Sequence, residues 1–99
     1  MFRLLKVTGE SLYPAYRQGD FVFVTKIPFF LNSIRQGDVI VFKHPAYGTL
    51  IKRVESVSAD KGAYTVLGMN EQSVDSRHFG SVKRQHLMGK VIWHIPKPK

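Results

Sequence analysis

The stretches RQGDFVFV (residues 17–24) and RQGDVIVF (residues 35–42) decide the fold that this sequence predicts. In each of them an Arg-Gln-Gly-Asp tetrapeptide comes directly before an apolar run of β-branched and aromatic residues. A Gly-Asp pair ahead of such a run indicates a turn, because glycine adopts a positive φ without a steric penalty. We therefore interpret both apolar runs as buried strands that follow the same kind of turn.

Further strands are predicted on either side of this pair. Each is rich in apolar and β-branched residues, and glycine and proline residues separate them. They cover residues 4–7, 49–57, 64–67 and 90–95. Short strands at close spacing are typical of an all-β fold, here a small antiparallel, barrel-like core with little helix.

Two other segments interrupt this strand pattern. Residues 28–31 (PFFL) are interpreted as an apolar loop that either packs onto the core or forms an exposed patch that touches a membrane or a partner. A short helical turn is predicted around residues 82–87. No linker or low-complexity segment is visible, so the 99 residues are expected to form one domain, residues 1–99.

The charge of the chain is strongly positive. Fifteen Lys and Arg residues stand against seven Asp and Glu, which gives a formal charge of +8. This balance favours partners of negative charge, namely nucleic acid, anionic lipid or an acidic peptide. The absence of cysteine excludes a disulfide framework, a thiolate nucleophile and a Cys-ligated zinc site. No apolar run reaches the roughly 18 residues that cross a bilayer.

Ser11 lies in the predicted turn GESLYP (residues 9–14), which follows a predicted strand. Such a turn presents the serine hydroxyl and aims the backbone N–H of the same residue at the same point. A serine in a turn is by itself ordinary turn chemistry. Ser11 is therefore a candidate nucleophile only in combination with residues elsewhere in the chain.

Lys52 lies within the strand predicted at residues 49–57. Strand alternation places it between Leu50 and Val54 on the inward face and leaves Arg53 and Glu55 on the other face. Burial disfavours the charged form of a lysine and lowers its pKa, and the neutral amine is a general base that deprotonates a serine hydroxyl. The alternative is that the Lys52 ammonium reaches solvent while its stem stays packed.

A polar loop covers residues 68–80 (GMNEQSVDSRHFG). The spacing of Asp75 and Arg77 predicts a short ion pair, and Ser73 and Ser76 supply hydroxyl groups. One interpretation is a hydrophilic surface loop. The other is that an Asp–Arg fork fixes the loop so that it supports an active site.

Together these segments resemble the sequence boxes of type I signal peptidases, which are Ser-Lys serine peptidases. The nucleophile box is similar to residues 9–14, and a Gly-Asp strand box is similar to residues 37–45 (GDVIVFKHP). The general-base box is similar to residues 51–54 (IKRV), and the last box to residues 73–80 (SVDSRHFG). The boxes occur in the order of the family and span nearly the whole chain.

The resemblance implies a role for each residue. Ser11 would attack a peptide carbonyl, and Lys52 would accept its proton and later pass it to the leaving amine. Ser73 would orient the lysine, and the ion pair of Asp75 and Arg77 would shape the site. No metal and no cofactor are implied.

The resemblance also implies a substrate, a precursor protein or leader peptide that binds as an added strand. The residues expected to contact it are Leu5, Val7, Thr8, Leu50 and Ile51. Peripheral contact with an anionic membrane is a second expectation, and nucleic acid is not an expected partner of the peptidase.

Many members of the family carry an N-terminal membrane anchor and a large inserted β-domain. Here the short segment 55–64 stands in place of the insertion, so we expect a minimal member, similar to those that remove the leader of nickel-type superoxide dismutase. The expected location is cytoplasmic if Met1 is the native start, and otherwise that of a soluble domain of a membrane-anchored protein.

Two alternatives remain at this point. The self-cleaving repressors share the Ser-Lys dyad and the Gly-Asp strands but lack the last box. A small basic β-barrel without catalysis would bind nucleic acid or an anionic membrane surface, using basic residues for phosphates and exposed aromatic residues for stacking. The repressors normally also carry a DNA-binding domain, and the sequence lacks a strand motif with clustered exposed aromatic and Arg residues, so the peptidase is the favoured interpretation.

Overall fold

A computed structural model of the chain describes residues 2–7, 16–60, 62–68 and 74–96. The described residues form strands joined by short helical turns. The strands are β1 (Phe2–Lys6), β2 (Phe21–Thr25), β3 (Val39–His44), β4 (Gly48–Val57), β5 (Ala63–Leu67), β6 (Val82–Lys83) and β7 (Leu87–Ile95). The helical elements are α1 (Pro28–Leu31), α2 (Ser76–Phe79) and a 3-10 turn (Arg84–His86).

All these strands belong to one antiparallel sheet with the order β1-β2-β7-β3-β4-β5-β6. The predicted all-β fold with little helix is confirmed. Strand β7 lies between β2 and β3, so the last strand of the chain joins the two strands that the sequence singled out. None of the described helices is long and apolar enough to cross a membrane.

The two Arg-Gln-Gly-Asp turns have the same conformation. Gly19 and Gly37 both have φ 95°, the left-handed region that the sequence predicted for them. In each turn the aspartate carboxylate accepts a hydrogen bond from the backbone N–H of the arginine three residues earlier, at 2.9 Å for Asp20 and 3.0 Å for Asp38. The repeated tetrapeptide is therefore a repeated local structure.

Each turn also holds a second segment of chain. The glycine N–H and the aspartate carbonyl of the first turn bond to the backbone of Val7, at 2.9 and 2.7 Å. Those of the second turn bond to the backbone of Val54, with the same two distances. The first turn therefore fixes Val7, directly after β1, and the second turn fixes the middle of β4.

The apolar residues form two clusters on opposite faces of the sheet, because Ile40 and Phe42 alternate with Val41 along β3. Strand β3 is buried on both faces, as its continuous apolar run predicted. The first cluster contains Ile34, Ile40, Phe42, Val54, Tyr64, Val66, Val82 and Leu87. The second contains Val7, Val22, Val24 and Val41, with Leu5, Tyr16, Ile51, Met88 and Val91 against it.

Three sequence predictions need correction. Strand β2 is buried on only one face, since Val22 and Val24 are buried while Phe21 is 38% exposed. Residues 28–31 form the single helical turn α1 and not a loop, because Pro28 is favoured at a helix start. Within it Leu31 packs on the first cluster while Phe29 is exposed. The turn predicted at residues 82–87 is helical only from Arg84 to His86.

Gly89 allows β7 to pass close to β2. It lies opposite Val41 in the sheet, next to a register shift in the pairing of β7 with β3. A Cβ atom at this position would lie 2.5 Å from Val24 Cγ1 and 2.6 Å from the carbonyl oxygen of Thr25. The second contact is with backbone, so it has no rotamer that relieves it.

We expect Gly89→Ala to lower the free energy of unfolding by about 3 kcal/mol, because the new methyl group overlaps buried backbone. Gly37→Ala is the matched control, since its Cβ meets nothing within 4 Å and only its positive φ is unfavourable. That control should cost about 1 kcal/mol. Urea denaturation measures both values, and equal losses would contradict the proposed overlap.

Candidate active site

Lys52 is the most unusual residue of the described core. Its side chain is 1% exposed, and it lies opposite Ile40 on the face of the first apolar cluster, next to Val54. The alternation that predicted an inward lysine is therefore correct, and the alternative of an amine that reaches solvent is wrong. Burial of a lysine is costly unless the ammonium is compensated or the group becomes neutral.

The surroundings of Lys52 adjust its protonation. Burial is the largest effect and lowers the pKa of the Lys52 amine from its usual value. The carboxylate of Asp75 raises this pKa, and the guanidinium of Arg77 lowers it. The neutral form of the amine, which acts as a base, is thus more populated than in an exposed lysine.

Asp75 and Arg77 form the ion pair that their spacing predicted. The Arg77 guanidinium donates from Nη2 to Asp75 Oδ2 at 2.8 Å and from Nε to Oδ1 at 3.0 Å. The Asp75 carboxyl is fully buried, and burial alone would raise its pKa. Hydrogen bonds from Arg77 and from the backbone N–H of Gly68 outweigh burial and lower the pKa of Asp75 to about 2.

Hydrogen bonds fasten this loop to β5. The N–H of Gly68, directly after β5, donates to Asp75 Oδ2 at 2.9 Å. The N–H of Val66 within β5 donates to the Ser76 hydroxyl at 2.8 Å. Asp75 also caps α2 by accepting from the Arg77 N–H. Asp75 and Ser76 are therefore attached to the end of β5, and the Asp75 carboxylate interacts with the buried lysine.

A cleft on the second apolar face brings together most of the predicted substrate residues. Leu5 and Val7 form one wall, and Leu50 and Ile51 form the opposite wall. Lys6, Thr49 and the buried side chains Val22 and Val41 complete the lining. Among the described strands, β1 pairs only with β2, and the first residues of β4 pair only with β3. Each wall therefore has an unpaired strand edge.

Three predicted site residues lie outside the described residues. These are the nucleophile candidate Ser11, the orienting residue Ser73 and the substrate contact Thr8. The structure brings Lys52 together with Asp75 and Arg77, and Leu5 and Val7 together with Leu50 and Ile51.

Sequence analysis missed a polar contact at the first of the two repeated turns. His94 Nε2 lies 2.7 Å from the buried carboxylate of Asp20, and its ring stacks on Tyr16 at 4.3 Å. Burial raises the pKa of Tyr16, against the opposing effect of the Arg53 charge. His94 therefore packs against described residues of the core. Its distance from Asp20 along the chain gave no indication of their contact.

The fold and the site together describe a small antiparallel β protein with a buried general-base candidate next to an ion-paired loop. The family profile described as signal peptidase, peptidase S26, matches residues 1–61 and 55–95. The chain therefore belongs to the signal peptidase family, peptidase S26. The two matched blocks overlap at residues 55–61.

Individual relatives agree with this assignment. Signal peptidase I V of Bacillus subtilis (strain 168) is 26% identical over 136 aligned positions, which cover 87% of this chain and 81% of that protein. Signal peptidase I of Bacillus caldolyticus is 30% identical, over 86% of this chain and 48% of that protein. Signal peptidase I of Buchnera aphidicola subsp. Baizongia pistaciae (strain Bp) is 33% identical, over 63% of this chain and 24% of that protein. The chain thus spans half or less of the last two relatives.

The pKa of Asp75 predicts how stability depends on pH. Because its folded pKa of about 2 lies below the ordinary 3.8, the carboxylate stabilises the fold above pH 3.8, and this contribution is lost as the pH falls toward 2. We expect Asp75→Asn to lower the free energy of unfolding at pH 7 by about 1–2 kcal/mol, since Arg77 is half exposed and screened. The variant should also lose less stability than the wild type between pH 4 and pH 2.

Urea denaturation at pH 7, 4 and 2.5 measures this difference. Glu55→Gln is the control, because Glu55 is exposed and forms no ion pair with a described residue. It should follow the wild-type profile. Parallel profiles for the wild type and Asp75→Asn would mean that the Asp75 carboxylate does not stabilise the fold.

Proposed function

We propose that the chain is a serine endopeptidase that removes an N-terminal leader or signal peptide from a precursor protein. Ser11 is the nucleophile and Lys52 is the general base. The observation that carries this proposal is the complete burial of Lys52 among apolar side chains, with its pKa lowered. Membership of the signal peptidase family supports the class of reaction.

The proposed mechanism uses one proton acceptor twice. The neutral amine of Lys52 takes the hydroxyl proton of Ser11 while the serine oxygen attacks the scissile carbonyl. The backbone N–H of Ser11 donates to the resulting oxyanion. The Lys52 ammonium then protonates the leaving amine, which gives an acyl-enzyme and neutral lysine. Lys52 next deprotonates the water that attacks the ester, and the return of that proton frees Ser11.

The remaining predicted residues position these groups. Ser73 orients the amine of Lys52 through its hydroxyl. Asp75 and Arg77 keep the loop next to Lys52. Their charges are opposite, so the net charge beside the amine is small and their effects on its pKa oppose each other. A base whose pKa is close to the working pH is the most effective proton acceptor.

The cleft between β1 and β4 supports binding of the precursor as an added strand. Its two walls carry unpaired strand edges, and its floor consists of the valine side chains Val22 and Val41. A peptide between the walls would pair with backbone on both sides and place alternate side chains against the floor. Such a peptide runs along β4 directly toward Lys52, which follows Ile51.

We expect Ser11→Ala and Lys52→Met to reduce kcat/KM by at least about 10³-fold, because each removes a group that acts in the transition state. Methionine keeps the buried volume of the lysine stem without its amine. The assay uses a fluorescence-quenched peptide with an apolar run followed by an Ala-X-Ala sequence. Wild-type kcat/KM should rise with pH as Lys52 loses its proton.

Ser81→Ala and Lys83→Met are matched controls, since both residues are exposed and lie away from the cleft. They should cleave the peptide at the wild-type rate. Cleavage by Ser11→Ala or Lys52→Met at an undiminished rate would refute the dyad.

We also propose that the peptidase rests on an anionic lipid surface. Two cross-strand rows support this, Leu4–Phe23–Trp93 and Lys6–Phe21–Ile95, which cross β1, β2 and β7. Trp93 is 66% exposed and Leu4 is 50% exposed. An exposed aromatic and aliphatic patch with lysine at its border suits the headgroup region of a membrane. The exposed Phe29 of α1 is a smaller apolar feature.

Fluorescence of Trp93, the single tryptophan of the chain, tests this contact. We expect its emission to shift to shorter wavelength with phosphatidylglycerol vesicles and much less with phosphatidylcholine vesicles, because lysine contacts anionic headgroups. Leu4→Glu should raise the lipid concentration needed for half of the shift at least about fivefold. Ser81→Glu should leave that concentration unchanged. An unchanged spectrum with both lipids would exclude the contact.

The alternative of a nucleic-acid-binding barrel has less support. It does not require a buried lysine, and the S26 family is a peptidase family. Oligonucleotide binding with a steep salt dependence and no peptide cleavage would favour it. The finer expectation of a precursor of nickel-type superoxide dismutase stays a prediction.

A further inference from the structure

A second groove, of about 350 Å³, is lined by residues of β4 that follow those of the proposed peptide cleft. Arg53, Glu55 and Gln36 contribute polar side chains to its lining, and Leu67 and Gly68 contribute the end of β5. Gly68 also donates to Asp75, so this groove borders the loop that lies beside Lys52. No role in the proposed mechanism requires any of the three polar side chains.

Arg53 has an unused hydrogen-bond donor in this groove. Its Nε is buried and has no hydrogen-bond partner within the described part of the chain. A buried donor of a charged group that lacks an acceptor is unfavourable, and an anionic acceptor relieves this cost most effectively. Glu55 does not fill that role, because no ion pair joins these two described residues.

The position of Arg53 relates the groove to the substrate. Ile51 and Arg53 lie on the same face of β4, about 7 Å apart along the strand, with Lys52 between them on the other face. Ile51 lines the peptide cleft, and Arg53 lines the groove. A peptide that runs parallel to β4 along its free edge must leave that edge beyond Lys52, because β5 pairs with β4 from Arg53 onward. Its residues after the scissile bond would then pass over the face of β4 that carries Arg53.

We propose that Arg53 binds an acidic side chain within the first three residues after the cleavage site. This inference rests on the proposed peptidase function and adds a specificity determinant on the leaving side. Among the described residues, the charged groups that line the groove are Arg53 and Glu55. Glu55 is exposed, so solvent screens its repulsion, whereas the buried Nε of Arg53 is screened less.

The test compares quenched peptides that carry Asp or Asn at each of the first three positions after the scissile bond. We expect wild-type kcat/KM to be about fivefold to tenfold higher for Asp at one of these positions, with the difference mainly in KM. Arg53→Gln should bring the Asp/Asn ratio close to one, and Arg53→Lys should retain part of the preference. Glu55→Gln should increase the ratio.

Arg35→Gln is the matched control, since Arg35 is an exposed arginine near the groove that does not line it. It should keep the wild-type ratio. Binding of the same peptides to Ser11→Ala, followed by fluorescence anisotropy, should show the same Asp preference without turnover. Circular dichroism confirms that each variant is folded.

The outcomes separate the two proposals. Cleavage of all peptides with equal Asp and Asn rates, or a preference that persists in Arg53→Gln, would overturn the role of Arg53 and leave the peptidase intact. Failure of the wild type to cleave any peptide would contradict the proposed function. In that case equal binding of the Asp and Asn peptides to Ser11→Ala would overturn the role of Arg53 as well.

Discussion

The burial of one amine, that of Lys52, is the constraint on which the rest of this structure depends. An ammonium among valine, isoleucine and phenylalanine side chains is unfavourable, and the fold responds in two ways. The pKa of the amine falls, and a buried carboxylate, Asp75, stays close enough to interact with it. Asp75 remains ionised at that depth only because Arg77 and two backbone N–H groups compensate its charge. The loop and the lysine therefore depend on each other.

The two repeated turns provide the frame for this arrangement. Their aspartates not only close the turns but also contact different side chains of β7, His94 for Asp20 and Lys90 for Asp38. Through these contacts β7 holds β2 on one side and β3 on the other. The second turn also holds Val54, two residues from Lys52, by a pair of backbone hydrogen bonds. A local sequence repeat thus fixes two segments, the residue that follows β1 and the strand that carries Lys52.

The same arrangement leaves unpaired strand edges along the cleft between β1 and β4, where an extended peptide would bind. Strand β5 pairs with β4 only from Arg53 onward, so the residues before Lys52 keep a free edge facing the end of β1. Such edges are normally covered or charged, because they attract other strands. In a peptidase that binds its substrate as a strand, an open edge next to the general base is a functional feature.

The sequence alone determined the described strands other than the two-residue β6, the two turns, the inward direction of Lys52 and the Asp75–Arg77 ion pair. All of these depend on residues that are neighbours in the chain, through alternation, turn chemistry or short spacing. The helical turn of α1 has a local cause, Pro28 at its start, that the sequence prediction missed. The exposed face of Phe21 and the contact of His94 with Asp20 were decided by the tertiary structure. Each depends on which strands become neighbours, and the position of β7 between β2 and β3 has no local cause. Interactions between neighbouring residues therefore determined the individual strands and turns, and long-range strand pairing determined which of them are in contact.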